Sequence, residues 1–255
     1  MKCTIDRAVL AQIVDLVSQL AFPEYLLDCC DEPSDGMLLE VNDQIAQLLG
    51  EQLERAFAFE VESCDRKVDI SQIVEQFMSG IPAIKQLLSS DLEATYRADP
   101  AARSYAEVVL CYPSIVAMTH HRIACALHLL DVPIIPRMIA EQAHSKCGID
   151  IHPGAQIDSY FAIDHGTGVV IGETTIIGRN VVIYQGVTLG ARGFRYDENG
   201  DPINIPRHPI IEDNVRIYSN SSILGRITIG HDSIIGGNMW IDCDVAPRSK
   251  IVGKI

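Results

Sequence analysis

Apolar residues follow two different rhythms on either side of Cys147. Before it they recur at three- and four-residue spacings, as in Ile13, Leu16 and Leu20 or Leu48, Leu53 and Phe57, among abundant Ala, Leu, Gln and Glu. That spacing lays one apolar stripe along a helix. It predicts helices over 38–59, 71–90, 104–129 and 136–145, within an all-helical N-terminal domain, 1–146. Asp99-Pro100 reads as a helix start, a capping carboxylate followed by Pro at the first helical position.

After Cys147 the period becomes six. Ile151, Ile157 and Ile163 form one run; Ile171, Ile177, Ile183 and Leu189 a second; Ile211, Ile217, Ile223, Ile229, Ile235 and Ile241 a third. Small or β-branched residues stand two positions earlier, among them Ala155, Val169, Thr175, Val181, Val187, Val215, Ser221 and Ser233. One inward aliphatic every six residues means a short flat strand and a tight corner, three of which close a coil of about 18 residues. Coils stacked about 4.8 Å apart pair each strand with those above and below it. The predicted class is α+β: a helical domain followed by a parallel β-helix, 147–255. The period breaks twice. Ile163 and Ile171 are eight apart, and Leu189 and Ile211 are 22 apart, which reads as one coil of 18 plus four, with 190–208 leaving as a polar, turn-rich loop.

Charge narrows the partners. The 255 residues carry 20 Lys+Arg against 34 Asp+Glu, a formal net charge of −14. Residues 1–146 hold 22 of the acids and 11 of the bases. Such a balance argues against nucleic acid or an anionic membrane as the main partner. Eight cysteines are scattered without a C-x-x-C pair, which fits reduced thiols rather than a disulfide framework or zinc ribbon. Asp15 interrupts the N-terminus before an apolar signal core forms, and no window reaches the roughly 18 apolar residues of a membrane span. The expected compartment is the cytosol.

Chemistry is expected where the repeat breaks, because the regular coils already account for themselves as structure. The first break sets His165 beside Asp164, with Asp150 fifteen residues earlier, almost one coil below, and so within reach across the stack. An imidazole oriented by a carboxylate is a general base. The second break ends in Arg207-His208-Pro209, a cation and an imidazole suited to a small carboxylate. Each residue also has a plainer role: Asp150 and Asp164 as corner residues, Asp99 as a cap, and Arg207 and His208 as a solvated loop base.

The segments DIHPGAQI, IDHGTGVVIGET, YQGVTLGA and RHP, in this order over hexapeptide coils behind an acidic helical domain, resemble serine O-acetyltransferase. The likeness covers roughly 95–245. It implies a left-handed β-helix, with acetyl-CoA as co-substrate, L-serine as acceptor and no permanently bound cofactor or metal. By the same resemblance His165 is the base and Asp150 its dyad partner. Asp99 and Asp164 meet the serine ammonium, and Arg207 and His208 its carboxylate. Gly190, Ala191, Arg192, Ser219 and Ser221 line the acetyl-CoA groove between neighbouring β-helices of a trimer. Arg192, Arg195, Arg216 and Arg226 are the cations available for CoA phosphates. A serine hydroxyl is hardly ionised at neutral pH, so a base must take its proton as it attacks the thioester. Direct attack in a ternary complex is expected, without an acetyl-cysteine, since Cys147 and Cys243 lie away from the His165 break.

Three other readings compete. A related hexapeptide enzyme would acetylate an amino sugar. A hydratase on the same solenoid would hold zinc with His152, His165 and His208. A subunit without activity would serve assembly alone. The resemblance further implies a homotrimer or a dimer of trimers, cysteine as feedback inhibitor, and a C-terminal Ile that engages O-acetylserine sulfhydrylase. The chain ends in Ile255, but Ile241 is the last coil position the period marks, and APRSKIVGKI leaves little free length for that contact.

Overall fold

The computed structural model describes residues 4–27, 34–60 and 68–253. Ile255 lies outside them. Among the described residues, seven helices come first: α1 (Arg7–Ala21), α2 (Pro23–Leu26), α3 (Asp35–Glu60), α4 (Ile70–Ala98), α5 (Tyr105–Cys111), α6 (Pro113–Leu129) and α7 (Ile135–Cys147). Their starts are local chemistry. Asp6 accepts from Ala8 N–H at 2.8 Å and Asp69 from Gln72 N–H at 3.1 Å. Gly148, left-handed at φ 68°, ends α7. No described helix is long and apolar enough to cross a membrane.

Two helical expectations change. The single helix expected over 104–129 divides at Tyr112-Pro113, because Pro113 has no N–H to continue the ladder and opens α6 instead. Asp99 does not start a helix: it closes α4, and the cap of α5 is Ser104, which accepts from Glu107 N–H at 3.1 Å. The carboxylate of Asp99 accepts from Ala101 N–H and from the Tyr112 hydroxyl instead.

From Asp150 the described residues wind through fourteen short parallel strands on three faces. The first face holds β1 (Asp150–Ile151), β4 (Val170–Ile171), β7 (Thr188–Gly190), β10 (Ser222–Leu224) and β13 (Trp240–Ile241). The second holds β2 (Gln156–Ile157), β5 (Ile176–Ile177), β8 (Ile210–Ile211) and β11 (Thr228–Ile229). The third holds β3 (Ala162–Asp164), β6 (Val182–Tyr184), β9 (Arg216–Ile217), β12 (Ile234–Ile235) and β14 (Lys250–Ile251). All thirteen marked aliphatics are buried, each contributing about 1.5–3 kcal/mol of apolar burial. The eight small residues two positions earlier are fully buried at 0% exposure, which explains their size: they fill the triangle's inner corners.

The strand register corrects two readings. Ile211 stacks on Ile177 while Leu189 stacks on Ile171, so Ile211 is the next inward position after Leu189. The 22-residue gap is one ordinary step with an inserted loop at a single corner, and no coil is skipped. The winding also continues past Ile241, since Val245 bridges to Ile229 and Ile251 pairs with Ile235. Most of APRSKIVGKI therefore belongs to the coil.

Corners turn through left-handed residues. Asn180, Asn214, Asn220, Asp232 and Asn238 all have φ near +60°, a conformation that Asn and Asp tolerate better than most residues. His165 occupies the same region at φ 58°.

Candidate functional site

Two polar clusters stand at successive corners of the lower coils. The first lies where the third face turns into the first. Here the corner is two residues longer than its neighbours and passes close to Ile149. A Cβ on Gly166 would come within 2.5 Å of the Ile149 side chain, so glycine is required there. His165 is exposed and Asp164 half-buried at the end of β3. The C-terminus of α4 delivers Asp99 to this corner. Its carboxylate accepts from the Tyr112 hydroxyl at 2.5 Å and from Ala101 N–H at 2.8 Å.

The charges of this cluster act on one another. The Tyr112 hydrogen bond, then the Ala101 N–H, holds Asp99 below the usual carboxylate range, and His165 adds to the effect. Reciprocally, Asp99 pushes the Tyr112 phenol up to about 12. Burial pushes Asp164 up, the His165 charge opposes it and the Asp99 charge adds to it. Two carboxylates beside one imidazole are the kind of chemistry that can take an ammonium group next to a base.

The second cluster lies where the first face turns into the second, at the base of the inserted loop. Arg207 donates to Glu173 Oε2 at 2.8 Å and to Asn204 Oδ1 at 3.0 Å. His208 is buried against Gly172, whose hypothetical Cβ would lie 2.1 Å from His208 Cδ2. Thr174 pins the loop: its hydroxyl accepts from the N–H groups of Arg207 at 2.9 Å and His208 at 3.1 Å. The Thr174 N–H in turn donates to His208 Nδ1 at 3.0 Å. That bond assigns the proton of the neutral ring to Nε2. Burial first, then the Arg207 charge, brings His208 down to about 4, so the ring is neutral near pH 7.

The expected residues are thus sorted by corner. Asp99, Asp164 and His165 share one; Arg207 and His208 share the next. Asp150 joins neither as anticipated. The extended corner makes the first coil twenty residues long, so Asp150 stacks beneath Val170, five positions beyond His165. Among the described residues no hydrogen bond or ion pair links Asp150 to His165, and the Asp150 charge acts on the His152 ring. Gly190, Ala191 and Arg192 stand at the loop corner, with Arg192 exposed and 3.6 Å from Asp242. Ser219 stands at the His165 corner, two coils on. Ser221 is corrected outright. It is fully buried, donates to Gly236 O at 2.7 Å and accepts from Met239 N–H at 3.1 Å, so it holds the corner together and cannot meet a cofactor. Arg226 likewise braces the chain through Thr174 O at 2.6 Å and His208 O at 3.0 Å.

No group of three or more His, Cys, Asp or Glu among the described residues is arranged to hold a metal ion. His152 neighbours His208, but His165 stands at the other corner. The sequence reading missed Tyr112, Glu173 and Thr174. The last two lie inside the quoted IGET segment; Tyr112 carried no signal beyond preceding Pro113.

Comparison with known proteins points to one family. A family model described as serine acetyltransferase, N-terminal, matches residues 34–118. The plasmid serine acetyltransferase of Synechococcus elongatus is 53% identical over 182 residues, 71% of this chain and 57% of that protein, so the match spans little more than half of that relative. The serine acetyltransferase of Bacillus licheniformis is 45% identical over 168 residues, 66% of this chain and 74% of that protein. Among solved structures, Entamoeba histolytica serine acetyltransferase 1 in complex with L-cysteine superposes with a TM-score of 0.84 at 32% identity, covering 98% of this chain and 88% of that one. Soybean serine acetyltransferase complexed with serine gives a TM-score of 0.63 at 27% identity, covering 98% of each chain. By sequence and by fold, this chain belongs to the serine acetyltransferase family.

Proposed function

We propose that this chain transfers the acetyl group of acetyl-CoA to the hydroxyl of L-serine, giving O-acetylserine and CoA, as a cytoplasmic enzyme of cysteine biosynthesis. The observation that carries the reading is the pairing of two complementary clusters. Asp99 and Asp164 offer negative charge beside His165, while Arg207 and His208 offer donors at the next corner. A zwitterionic amino acid with a nucleophilic side chain needs both ends. An amino sugar has no carboxylate to meet Arg207.

In the reaction the ammonium lies between Asp99 and Asp164, and the carboxylate meets Arg207 and the Nε2–H of His208. His165 takes the hydroxyl proton as the oxygen attacks the thioester carbonyl, then returns it to the departing thiolate. Backbone N–H groups of a glycine-rich corner suit the tetrahedral oxyanion. Acetyl-CoA serves as co-substrate, with Gly190, Ala191, Arg192 and Ser219 along its groove.

The two clusters occupy different corners of one coil stack, so the complete site forms between neighbouring chains of a homotrimer, alone or as a dimer of trimers. In that arrangement Asp150 of the neighbouring chain is the partner of His165. The helical domain, 1–146, takes part in the site through Asp99, and the β-helix domain, 147–255, supplies the rest. The Entamoeba relative was solved with L-cysteine and the soybean relative with serine. Cysteine accordingly acts here as a competitor at the serine subsite. Purified protein should release free CoA thiol from acetyl-CoA with L-serine, and not with glucosamine-type acceptors. The opposite preference would overturn the assignment.

A further inference from the structure

One charged pair lies outside both clusters and is fully enclosed. Arg122 of α6 and Asp91 of α4 are 5% and 0% exposed, sealed between the helices and the first coil. Their contact is a fork: Arg122 Nε and Nη2 each donate to Asp91 at 3.1 Å. The remaining donors reach the β-helix, Nη2 to Asp158 O at 2.7 Å and Nη1 to Ile157 O. Asp91 in turn accepts from Phe161 N–H at 3.1 Å, and the adjacent Ser90 hydroxyl accepts from Tyr160 N–H at 3.1 Å. Apart from the two bonds of the fork itself, these bonds end on the corner 157–161.

Two arms leave this pin. Along α4, Asp91 precedes Asp99 by eight residues, a rise of about 12 Å. Along β3, Phe161 precedes Asp164 by three residues, about 10 Å. The arms meet through Ala94 of α4 and Ala162 of β3, small side chains that allow close approach and do little to resist sliding, with Val182 of β6 packed beside them. Asp99 and Asp164 are the far ends of the arms.

A buried ion pair contributes little net stability compared with apolar residues of the same size, since desolvation offsets the attraction. What it supplies is direction: five hydrogen bonds with fixed geometry cannot all survive a shift of α4 along the coil. We propose that Asp91 and Arg122 are positioning residues which set the spacing of Asp99 from Asp164, and with it the fit of the amino group of L-serine. The inference rests on the reaction proposed above.

The test compares the wild-type chain with Asp91→Asn and with the double variant Asp91→Leu/Arg122→Met, whose apolar pair leaves no charge stranded and keeps the protein folded if the single variant does not. In the folded variant the KM for L-serine should rise about tenfold while the KM for acetyl-CoA stays within about twofold, since one arm of the serine subsite has moved. Unchanged KM values with turnover lowered only in proportion to the folded fraction would show a structural role alone and overturn the proposal. Amide exchange is read in parallel and is independent of activity. The Phe161 and Ala162 amides should lose protection in the double variant, and unchanged protection would overturn the pin. A wild type that fails to acetylate L-serine would instead overturn the reaction.

Discussion

The hydroxyl of Tyr112 donates to Asp99 Oδ2 at 2.5 Å, tying the linker between α5 and α6 to the end of α4. Asp99 is thereby held ionised and in place before any substrate arrives. Tyr112→Phe removes one neutral donor, and the KM for L-serine should rise about threefold to tenfold with little change in kcat. Asp99→Asn removes the charge proposed to meet the ammonium and should raise it about 10–100-fold. Steady-state kinetics with serine varied at saturating acetyl-CoA would check both. An Asn variant as good as wild type would return Asp99 to a purely structural role.

His165 is exposed at a left-handed corner. His165→Ala should therefore leave folding and assembly intact while lowering turnover by about 10²–10⁴, the usual range for loss of a general base. Turnover close to wild type, with an unchanged elution volume in size-exclusion chromatography, would contradict its role.

Cys147 tests the route of the acetyl group. Its thiol donates to Ala143 O at 2.9 Å within α7, and burial pushes its pKa up, both unfavourable for a nucleophile. Cys147→Ala should turn over at the wild-type rate, and intact-mass measurement of enzyme mixed with acetyl-CoA should find no acetylated thiol.

The six-residue period was legible because each inward position has the same requirement, an aliphatic that fills a triangular axis, and all thirteen met it. His165, Asp164, Arg207 and His208 were legible as departures from that period. Asp150 was misplaced because sequence distance was compared with a regular coil, whereas the corner holding His165 is itself two residues longer. Ser221 was misjudged because a serine facing inward, bonded to Gly236 O and Met239 N–H, looks the same in sequence as one facing a ligand. Tyr112, Asp91 and Arg122 act through contacts between segments far apart in the chain, and no periodicity records those.

Gly172 gives the loop corner a sharp test. The His208 ring lies where a side chain at 172 would begin, 2.1 Å from Cδ2 and 2.2 Å from Nε2. Gly172→Ala must push the ring away from the Thr174 N–H, costing about 1–3 kcal/mol of stability and raising the KM for L-serine more than about tenfold. Adding His208→Ala should recover much of the melting temperature without recovering activity. If Gly172→Ala alone leaves both quantities unchanged, His208 does not sit against Gly172 in solution.

Acid should destabilise the fold through its buried imidazoles. Burial holds His121 near about 3, and burial with the Arg207 charge holds His208 near about 4. In the unfolded chain both rings take up protons at about pH 6.5. Below that pH the unfolded state binds more protons than the native one, so the stability present above about 6.5 is lost as pH falls towards about 4 for His208 and about 3 for His121. His208→Asn keeps an acceptor for the Thr174 N–H at the place of Nδ1 but removes one titrating ring. Between about pH 6 and 4.5 its unfolding free energy should fall less steeply than wild type, by up to about 1.4 kcal/mol per pH unit. Urea titrations across that range measure the slope directly; equal slopes for the two proteins would mean that His208 is already protonated in the native state, and that Thr174 does not hold it neutral.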